Sequence, residues 1–344
     1  MRTFAPSDAP TGLPELAALL EDSLATVKDQ PMPCPPMKFV PAPGLALTCY
    51  AGGPATNILQ AVKLSATAVA LADIVTLHTT PDRSDLAAVA EVRRINPRAR
   101  VWFGAPFNPV VRLPKAKALE TVAAWARLCV EAGAELLEFN GEGNETSPGD
   151  WVGNTDAERA ALAALMTELL AAVREAAPAL PLGFTSHDMP RSFRVPWSQV
   201  LREPLAVHRP QHYPAEPGRS VGLQELQDRV ARSRKQWDAL VAARAVDAPF
   251  APYGAAWSPY LQGHGHDLVA TVWGLDQAPI GSLWASPGSW DEGGTTALRA
   301  MRQLRDEVGH APGAIARWQT KHGLDPVGTL GPKSRALLGL PSAR

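Results

Sequence analysis

Residues 135–145 read ELLEFNGEGNE, and they follow a helix-ending glycine, Gly133. Leucines and a phenylalanine at the start of this stretch are typical of a buried strand. Because side chains alternate between the faces of a strand, Glu138, Asn140 and Glu142 are predicted to share one face. Burying such groups costs free energy unless they are paired or used by a site. The stretch therefore predicts a functional site at a strand end, with a buried ion-pair network or a solvent-facing turn as the alternatives.

The same alternation of short apolar segments with helical patterns extends along most of the chain. The strand candidates are 45–51, 73–79, 100–107, 134–141, 180–187, 206–213, 249–257 and 279–286. Helical patterns cover 55–72, 84–96, 115–132, 156–177, 222–245, 264–276 and 294–308. Eight strands, most of them followed by a helix, predict an α/β fold, the (β/α)8 TIM barrel. A doubly wound sheet is disfavoured because residues 51–54 lack the glycine spacing of a dinucleotide fingerprint.

The chain is predicted to have three parts. Residues 1–44 are a proline-rich N-terminal extension with one helix at about 13–28, and residues 45–308 form the barrel. Residues 309–344 form a small C-terminal module that reads as a helix, a glycine-rich turn and a second helix.

Composition excludes several classes of function. The chain has 344 residues, 46% hydrophobic content and a net charge of −1, which fits a large apolar core and no binding to nucleic acid. Its three cysteines lie far apart, so neither a disulfide framework nor a zinc knuckle is indicated. His264 and His266 are too few ligands for zinc. We expect a monomer without metal or cofactor and without membrane insertion, made in the cytoplasm because no secretory signal is recognisable.

The C-terminal segment resembles the second half of the peptidoglycan-binding domain 1 family. The matching residues are Trp318, Gln319, His322, Gly323 and Leu324, followed by Gly328, Gly331, Pro332, Lys333 and Ser334. Val327 replaces the usual aspartate, and the first half of the family's repeat is absent. The resemblance implies that Trp318 and Lys333 contact cell wall.

The barrel resembles glycoside hydrolase family 18 and its relatives, families 25 and 85. Residues 135–142 have the spacing of the Asp-x-x-Asp-x-Asp-x-Glu motif on the fourth strand of family 18, with Glu142 at the position of the catalytic acid. Asn140 replaces an aspartate of family 18, whereas family 85 has asparagine there. Residues 211–213 (QHY) resemble the Gln-x-Tyr of the sixth strand, and residues 281–284 (GSLW) resemble the eighth. The aspartate typical of the first strand of family 25 is absent.

This resemblance implies a catalytic role for three residues. Glu142 would donate a proton to the leaving oxygen, Asn140 would orient the acetamide nitrogen of the sugar, and Tyr213 would hydrogen-bond the acetamide oxygen. No second carboxylate ends the seventh strand, which suits substrate-assisted cleavage. Glu145 is a rival for the acid. Residues expected to bind substrate are Glu138, Asp188, Gln211, Trp257, Trp284 and Trp151.

Together the two resemblances imply a peptidoglycan hydrolase of the endolysin type, encoded by a phage or prophage and acting on the wall after release. Both amino sugars of peptidoglycan carry an acetamide group, so muramidase and glucosaminidase activity both remain open. The alternatives are a non-catalytic protein that binds wall glycan and a barrel hydrolase of another polysaccharide.

Overall fold

The structure is a computed structural model that describes residues 41–51, 55–141, 156–186, 205–212, 215–216, 219–220, 222–242, 253–256, 265–285 and 291–341. Within these ranges eight parallel strands close into a barrel in chain order, with the last strand paired to the first. The strands are β1 (Gly44–Tyr50), β2 (Ile74–His78), β3 (Arg100–Pro106), β4 (Leu136–Asn140), β5 (Leu182–Ser186), β6 (Leu205–His212), β7 (Tyr253–Ala256) and β8 (Ile280–Ala285). A two-stranded antiparallel ribbon, Ala215–Glu216 with Arg219–Ser220, follows β6. The TIM-barrel prediction is confirmed.

Helices follow most of the strands. They are α1 (Ile58–Leu64), α2 (Ala66–Leu71), α3 (Leu86–Ile95), α4 (Asn108–Val111), α5 (Lys115–Glu131), α6 (Asp156–Ala176), α7 (Gly222–Ala242), α8 (Gly265–Asp276), α9 (Asp291–Val308), α10 (Ala314–Lys321) and α11 (Pro332–Leu337). The single helix predicted over 55–72 is interrupted at Ser65, which ends α1 and begins α2. The helix predicted at 13–28 lies outside the described residues. In the described ranges no helix has the length and apolarity needed to span a membrane.

The described part of the stretch that predicted the fold, residues 135–141, follows α5 and contains β4. Gly133 has a φ of 61°, a left-handed conformation that favours glycine at the end of a helix. The backbone N–H of Ala134 donates to the carbonyl of Cys129 over 2.9 Å, which closes the last turn. Side chains then alternate along β4. Leu137 packs among the outer residues of the barrel, whereas Leu136 packs inside it.

The barrel has two apolar regions. A large core fills the space between the sheet and the surrounding helices. A smaller cluster fills the N-terminal end of the barrel interior and consists of Ala46, Ile74, Trp102, Leu136, Val207, Ala278 and Ile280. As is usual for this fold, the interior is a packed core and the open end is the one where the strands terminate.

A buried arginine of α9 secures the junction between the first and last strands. The guanidinium of Arg305 donates to the backbone carbonyls of Gly44, Leu275, Ala278 and Pro279 over 2.8–3.1 Å. Burial lowers the pKa of Arg305 to about 10. These carbonyls belong to the start of β1 and to the connection between α8 and β8, so one side chain satisfies acceptors on both sides of the closure.

The C-terminal helices pack on the barrel helices. The carboxylate of Asp276 accepts hydrogen bonds from the backbone N–H groups of Ala314 (2.8 Å) and Ile315 (3.2 Å) at the start of α10. Ile315 and Leu330 belong to the large core. The boundary predicted at residue 309 stays a prediction about folding units, because packing alone does not show which part folds independently.

Asp276→Ala is expected to lower the free energy of unfolding by about 1–2 kcal/mol, because two N–H groups at a helix start lose their acceptor. Burial raises the pKa of Asp276 to about 6, above its value of 3.8 in an unfolded chain. As the pH falls, Asp276 is protonated in the folded protein before it is protonated in the unfolded chain. Its contribution to the free energy of unfolding therefore increases as the pH falls from about 6 towards 4. Chemical denaturation at pH 7 and pH 5 should show the variant's deficit growing at the lower pH.

Asp325→Ala is the matched control, because Asp325 is an exposed aspartate in the C-terminal segment whose first helix Asp276 caps. It should change stability by less than about 0.5 kcal/mol at either pH. Equal losses in the two variants would contradict the capping role of Asp276.

Candidate active site

An ion pair occupies the middle of the barrel interior. Arg209 of β6 donates through Nε to a carboxylate oxygen of Glu138 on β4, and both side chains are fully buried. The other guanidinium nitrogens donate over 3.2 Å to the hydroxyls of Ser282 on β8 and Thr76 on β2. The guanidinium also lies 5.0 Å from the ring centre of Trp102. One arginine therefore links four strands across the barrel.

The surroundings of Glu138 decide its role. Burial raises the pKa of this carboxyl, while the charge and hydrogen bond of Arg209 act in the opposite direction. Only 1% of the Glu138 side chain is exposed, so it does not contact a ligand in this arrangement. The prediction that Glu138 binds substrate is therefore corrected: the carboxylate belongs to a buried ion-pair network, one of the alternatives that the sequence had left open.

Nearer the open end, a second polar group consists of the last residues of β2 and β4. Asn140 Nδ2 lies 3.0 Å from His78 Nε2, and each residue is only 7% exposed. Tyr50 ends β1 and places its ring 5.5 Å from the imidazole of His78, with 40% of the residue exposed. Asn140 thus lies at the end of a barrel strand, as predicted; its amide contacts His78, and the ring of His78 in turn contacts Tyr50.

A glycine makes room for this histidine. A Cβ atom built on Gly104 of β3 would lie 3.2 Å from His78 Cδ2 and 3.1 Å from Thr76 Cγ2, closer than ordinary contact. The imidazole is therefore enclosed by the β3 backbone, the Tyr50 ring and the Asn140 amide. Such enclosure restricts the rotamers of His78 and directs its Nε2 towards Asn140.

The remaining predicted residues of the barrel divide into two groups. Gln211 pairs through its backbone with Tyr253 of β7, and Trp284 pairs with Thr48 and Ala255, so both lie on the predicted strands. The others lie outside the described residues: Glu142, Glu145, Trp151, Asp188, Tyr213 and Trp257. Their roles stay predictions.

The C-terminal motif forms a helix, a turn and a second helix. Gln319 of α10 donates to the carbonyl of Thr329 (2.6 Å) and to the hydroxyl of Ser334 (3.2 Å), and it accepts from the N–H of Gly328 (3.0 Å). This amide thus holds the glycine-rich turn against both helices. The glutamine, glycine and serine of the motif therefore have a structural role in this segment.

The two residues predicted to bind wall have different environments. Trp318 is fully buried in the large core, and its ring centre lies 4.3 Å from that of His322. Because no part of the indole is accessible, the expectation that Trp318 contacts glycan is corrected to a role in packing. Lys333 is exposed at the start of α11, and its role in wall binding stays a prediction.

Two residues that the sequence did not single out matter in this geometry, Arg209 and Tyr50, and a third, His78, was expected at a strand end without a role of its own. A signal existed for Arg209, since a charge within an apolar strand facing another strand with a buried carboxylate indicates a pair. Among the described residues no group of three or more histidine, cysteine or acidic side chains could hold a metal ion. The site therefore offers an amide, an imidazole and a phenol, groups that hydrogen-bond neutral polar ligands and pack on sugar rings.

No family model matches this chain, and no curated protein matches it. Solved TIM-barrel enzymes are similar to it at low identity. D-allulose 3-epimerase from Methylomonas sp. is 14% identical, with a TM-score of 0.48, over 79% of this chain and 99% of that one. Dihydrodipicolinate synthase from Agrobacterium tumefaciens str. C58 is 13% identical, with a TM-score of 0.39, over 86% and 96%. A psychrophilic glycoside hydrolase family 10 endo-β-1,4-xylanase is 11% identical, with a TM-score of 0.43, over 71% and 85%. These enzymes catalyse different reactions on similar barrels, so the likeness concerns architecture, and function has to be argued from the site.

Proposed function

We propose that this chain is a glycoside hydrolase that cleaves a β-1,4 bond next to an N-acetylhexosamine, with peptidoglycan as the substrate. The observation that carries the proposal is the position of Asn140. It ends β4 at the open end of the barrel, its amide is held by His78, and it precedes Glu142 by two residues. An amide at this place suits recognition of an acetamide group, which is itself an amide.

The chemistry follows from these groups. Glu142 gives a proton to the glycosidic oxygen as the bond between that oxygen and the anomeric carbon breaks. The acetamide carbonyl oxygen of the same sugar bonds to the anomeric carbon and forms a cyclic oxazolinium ion. Water then adds to the anomeric carbon and returns a proton to the Glu142 carboxylate, which restores the acetamide. Asn140 Oδ1 accepts the acetamide N–H and thereby orients the attacking carbonyl.

Peptidoglycan is proposed over other polymers because of the C-terminal segment. Its helix–turn–helix is built around Gln319, a residue of the motif that resembles peptidoglycan-binding domain 1, and Lys333 is exposed beside it. The wider role, lysis of a host wall by a phage or prophage enzyme, stays a prediction from the sequence.

Product analysis tests this function directly. Purified protein is incubated with peptidoglycan, and new reducing ends are reduced and identified by mass spectrometry. We expect a single kind of new end: N-acetylmuramic acid marks a muramidase, and N-acetylglucosamine marks a glucosaminidase. Glu142→Gln protein prepared in the same way controls for contaminating hydrolases.

The negative outcomes are also informative. Binding to wall without new ends would contradict hydrolysis and support the alternative of a non-catalytic glycan-binding protein. Cleavage of another polysaccharide but not of peptidoglycan would contradict the proposed substrate and keep the proposed reaction.

A further inference from the structure

The hydrogen bond between Asn140 and His78 defines the state of both side chains. Asn140 Nδ2 lies 3.0 Å from His78 Nε2, and an amide N–H can only donate, so this contact is a hydrogen bond in the tautomer of His78 whose Nε2 is unprotonated and whose proton is on Nδ1. The same bond determines which way the amide faces. With Nδ2 towards His78, the carbonyl oxygen Oδ1 occupies the opposite side of the amide.

Protonation of the imidazole reverses this arrangement. A charged His78 carries a proton on Nε2 as well as on Nδ1, so a donor would face the Nδ2 donor of Asn140. The contact is restored when the carboxamide turns over, which directs Oδ1 to His78 and places Nδ2 where Oδ1 had been. The enclosed position of His78, between Gly104 and Tyr50, disfavours the alternative in which the ring itself moves away.

The charged and titratable groups around His78 come from several elements. Below it, Arg209 donates to Thr76 of the same strand, and this cation is balanced by Glu138 of β4. Beside it on β1 lies the phenol of Tyr50. Asp85, in the turn that follows β2, is buried, and burial raises its pKa to about 6. Arg209 and Glu138 form an ion pair without net charge.

We propose that His78 is a positioning residue: it sets the orientation of the Asn140 carboxamide, and its protonation turns that amide over. The inference rests on the proposed function in one respect, namely that Oδ1 of Asn140 accepts the acetamide N–H of the substrate. In the turned-over state an N–H group faces the substrate N–H, so the acetamide is no longer oriented for attack. Activity should then fall on the acid side because of His78.

Two substitutions separate orientation from packing. The amide oxygen of a glutamine can accept from Asn140 but does not titrate, whereas a phenylalanine fills the space without accepting. We expect His78→Phe to lower kcat by about 10- to 100-fold, the size of effect that loss of orientation produces. His78→Gln should stay within about 3-fold of wild type at pH 8 and lack the decline in kcat that we expect for wild type between about pH 8 and 5, the range in which a free imidazole changes charge. His310→Gln, a change at the other end of the barrel, is the matched control.

A measurement without substrate tests the hydrogen bond separately. Nitrogen–proton correlation spectra of the wild-type imidazole at pH 8 should show Nε2 unprotonated and Nδ1 protonated. The side-chain amide signals of Asn140 should shift as His78 titrates, and this shift should be absent in His78→Gln. A protonated Nε2 at pH 8 would overturn the proposal. So would side-chain amide signals of Asn140 that do not shift while His78 is titrated.

The kinetic outcomes divide in the same way. If kcat of His78→Phe and His78→Gln declines towards acid pH as it does in wild type, the positioning role of His78 is overturned. If wild type cleaves no glycan but the spectra show the expected tautomer and the coupled shift, the proposed function is contradicted and the orientation of Asn140 by His78 is supported. If glycan is cleaved but Nε2 is protonated at pH 8, the proposed role of His78 is contradicted and the proposed function is supported.

Discussion

Replacing Arg209 with methionine is expected to lower the free energy of unfolding by about 3–5 kcal/mol, the cost of leaving a buried charge without its partner. Glu138 is 1% exposed, and Arg209 supplies its charge-balancing contact. The two hydroxyls that Arg209 contacts, on Thr76 and Ser282, would lose a donor as well. Chemical denaturation followed by tryptophan fluorescence measures the loss.

The pH dependence of this loss identifies its cause. An unpartnered buried carboxyl takes up a proton more readily in the folded state than in the unfolded state, so Arg209→Met should regain stability as the pH falls from 8 towards 5. The double variant Glu138→Leu/Arg209→Met removes both charges and should recover most of the loss. Arg98→Met, at an exposed arginine, should change stability by less than about 0.5 kcal/mol. If Arg209→Met lowers the free energy of unfolding by less than about 1 kcal/mol, the Arg209–Glu138 pair does not stabilise the barrel interior.

Glu142→Gln is expected to lower the rate of glycan cleavage by about 100- to 10,000-fold, because the departing oxygen would lose its proton donor. Glutamine has nearly the same shape and keeps an acceptor, so binding to insoluble wall should be unchanged. Release of reducing ends and co-sedimentation with wall, measured on the same preparation, separate chemistry from binding.

Glu145→Gln is the matched control, because it removes a carboxyl three residues further along the same segment. We expect it to keep at least about a third of wild-type activity, the range of a change without a catalytic role. A collapse of activity in Glu145→Gln, with Glu142→Gln remaining active, would transfer the role of acid to Glu145. Full activity in both variants would remove this segment from the mechanism.

Local patterns sufficed for the elements of the fold. The apolar run of β4 and the glycine that ends α5 lie within a few residues of each other, and period-two alternation correctly placed Glu138 and Asn140 on the inner face. The same reasoning failed at residues 55–72, where a break at Ser65 interrupts a continuous helical pattern. A continuous pattern of apolar residues does not reveal where one helix ends and the next begins.

Roles were harder to predict than positions. The motif of Trp318 resembles a wall-binding family and predicts a binding surface, yet the indole is fully buried. The same kind of resemblance predicts that Glu138 binds substrate, yet this carboxylate pairs with Arg209, a residue 71 positions away. In both cases the residue type fits either a site or a core, and only its neighbours distinguish the two.

The sequence by itself determined the order of strands and helices, the closure of eight strands into a barrel and the placement of Asn140 at a strand end, because these follow from short-range periodicity and from the rules of parallel connection. Only the tertiary structure decided the partners: Arg209 for Glu138, and His78 for Asn140 across 62 residues. Partner choice depends on strand register and on space, such as the gap that Gly104 leaves beside His78. Those quantities exist only once the barrel has closed, since no local pattern encodes which side chains meet across its interior.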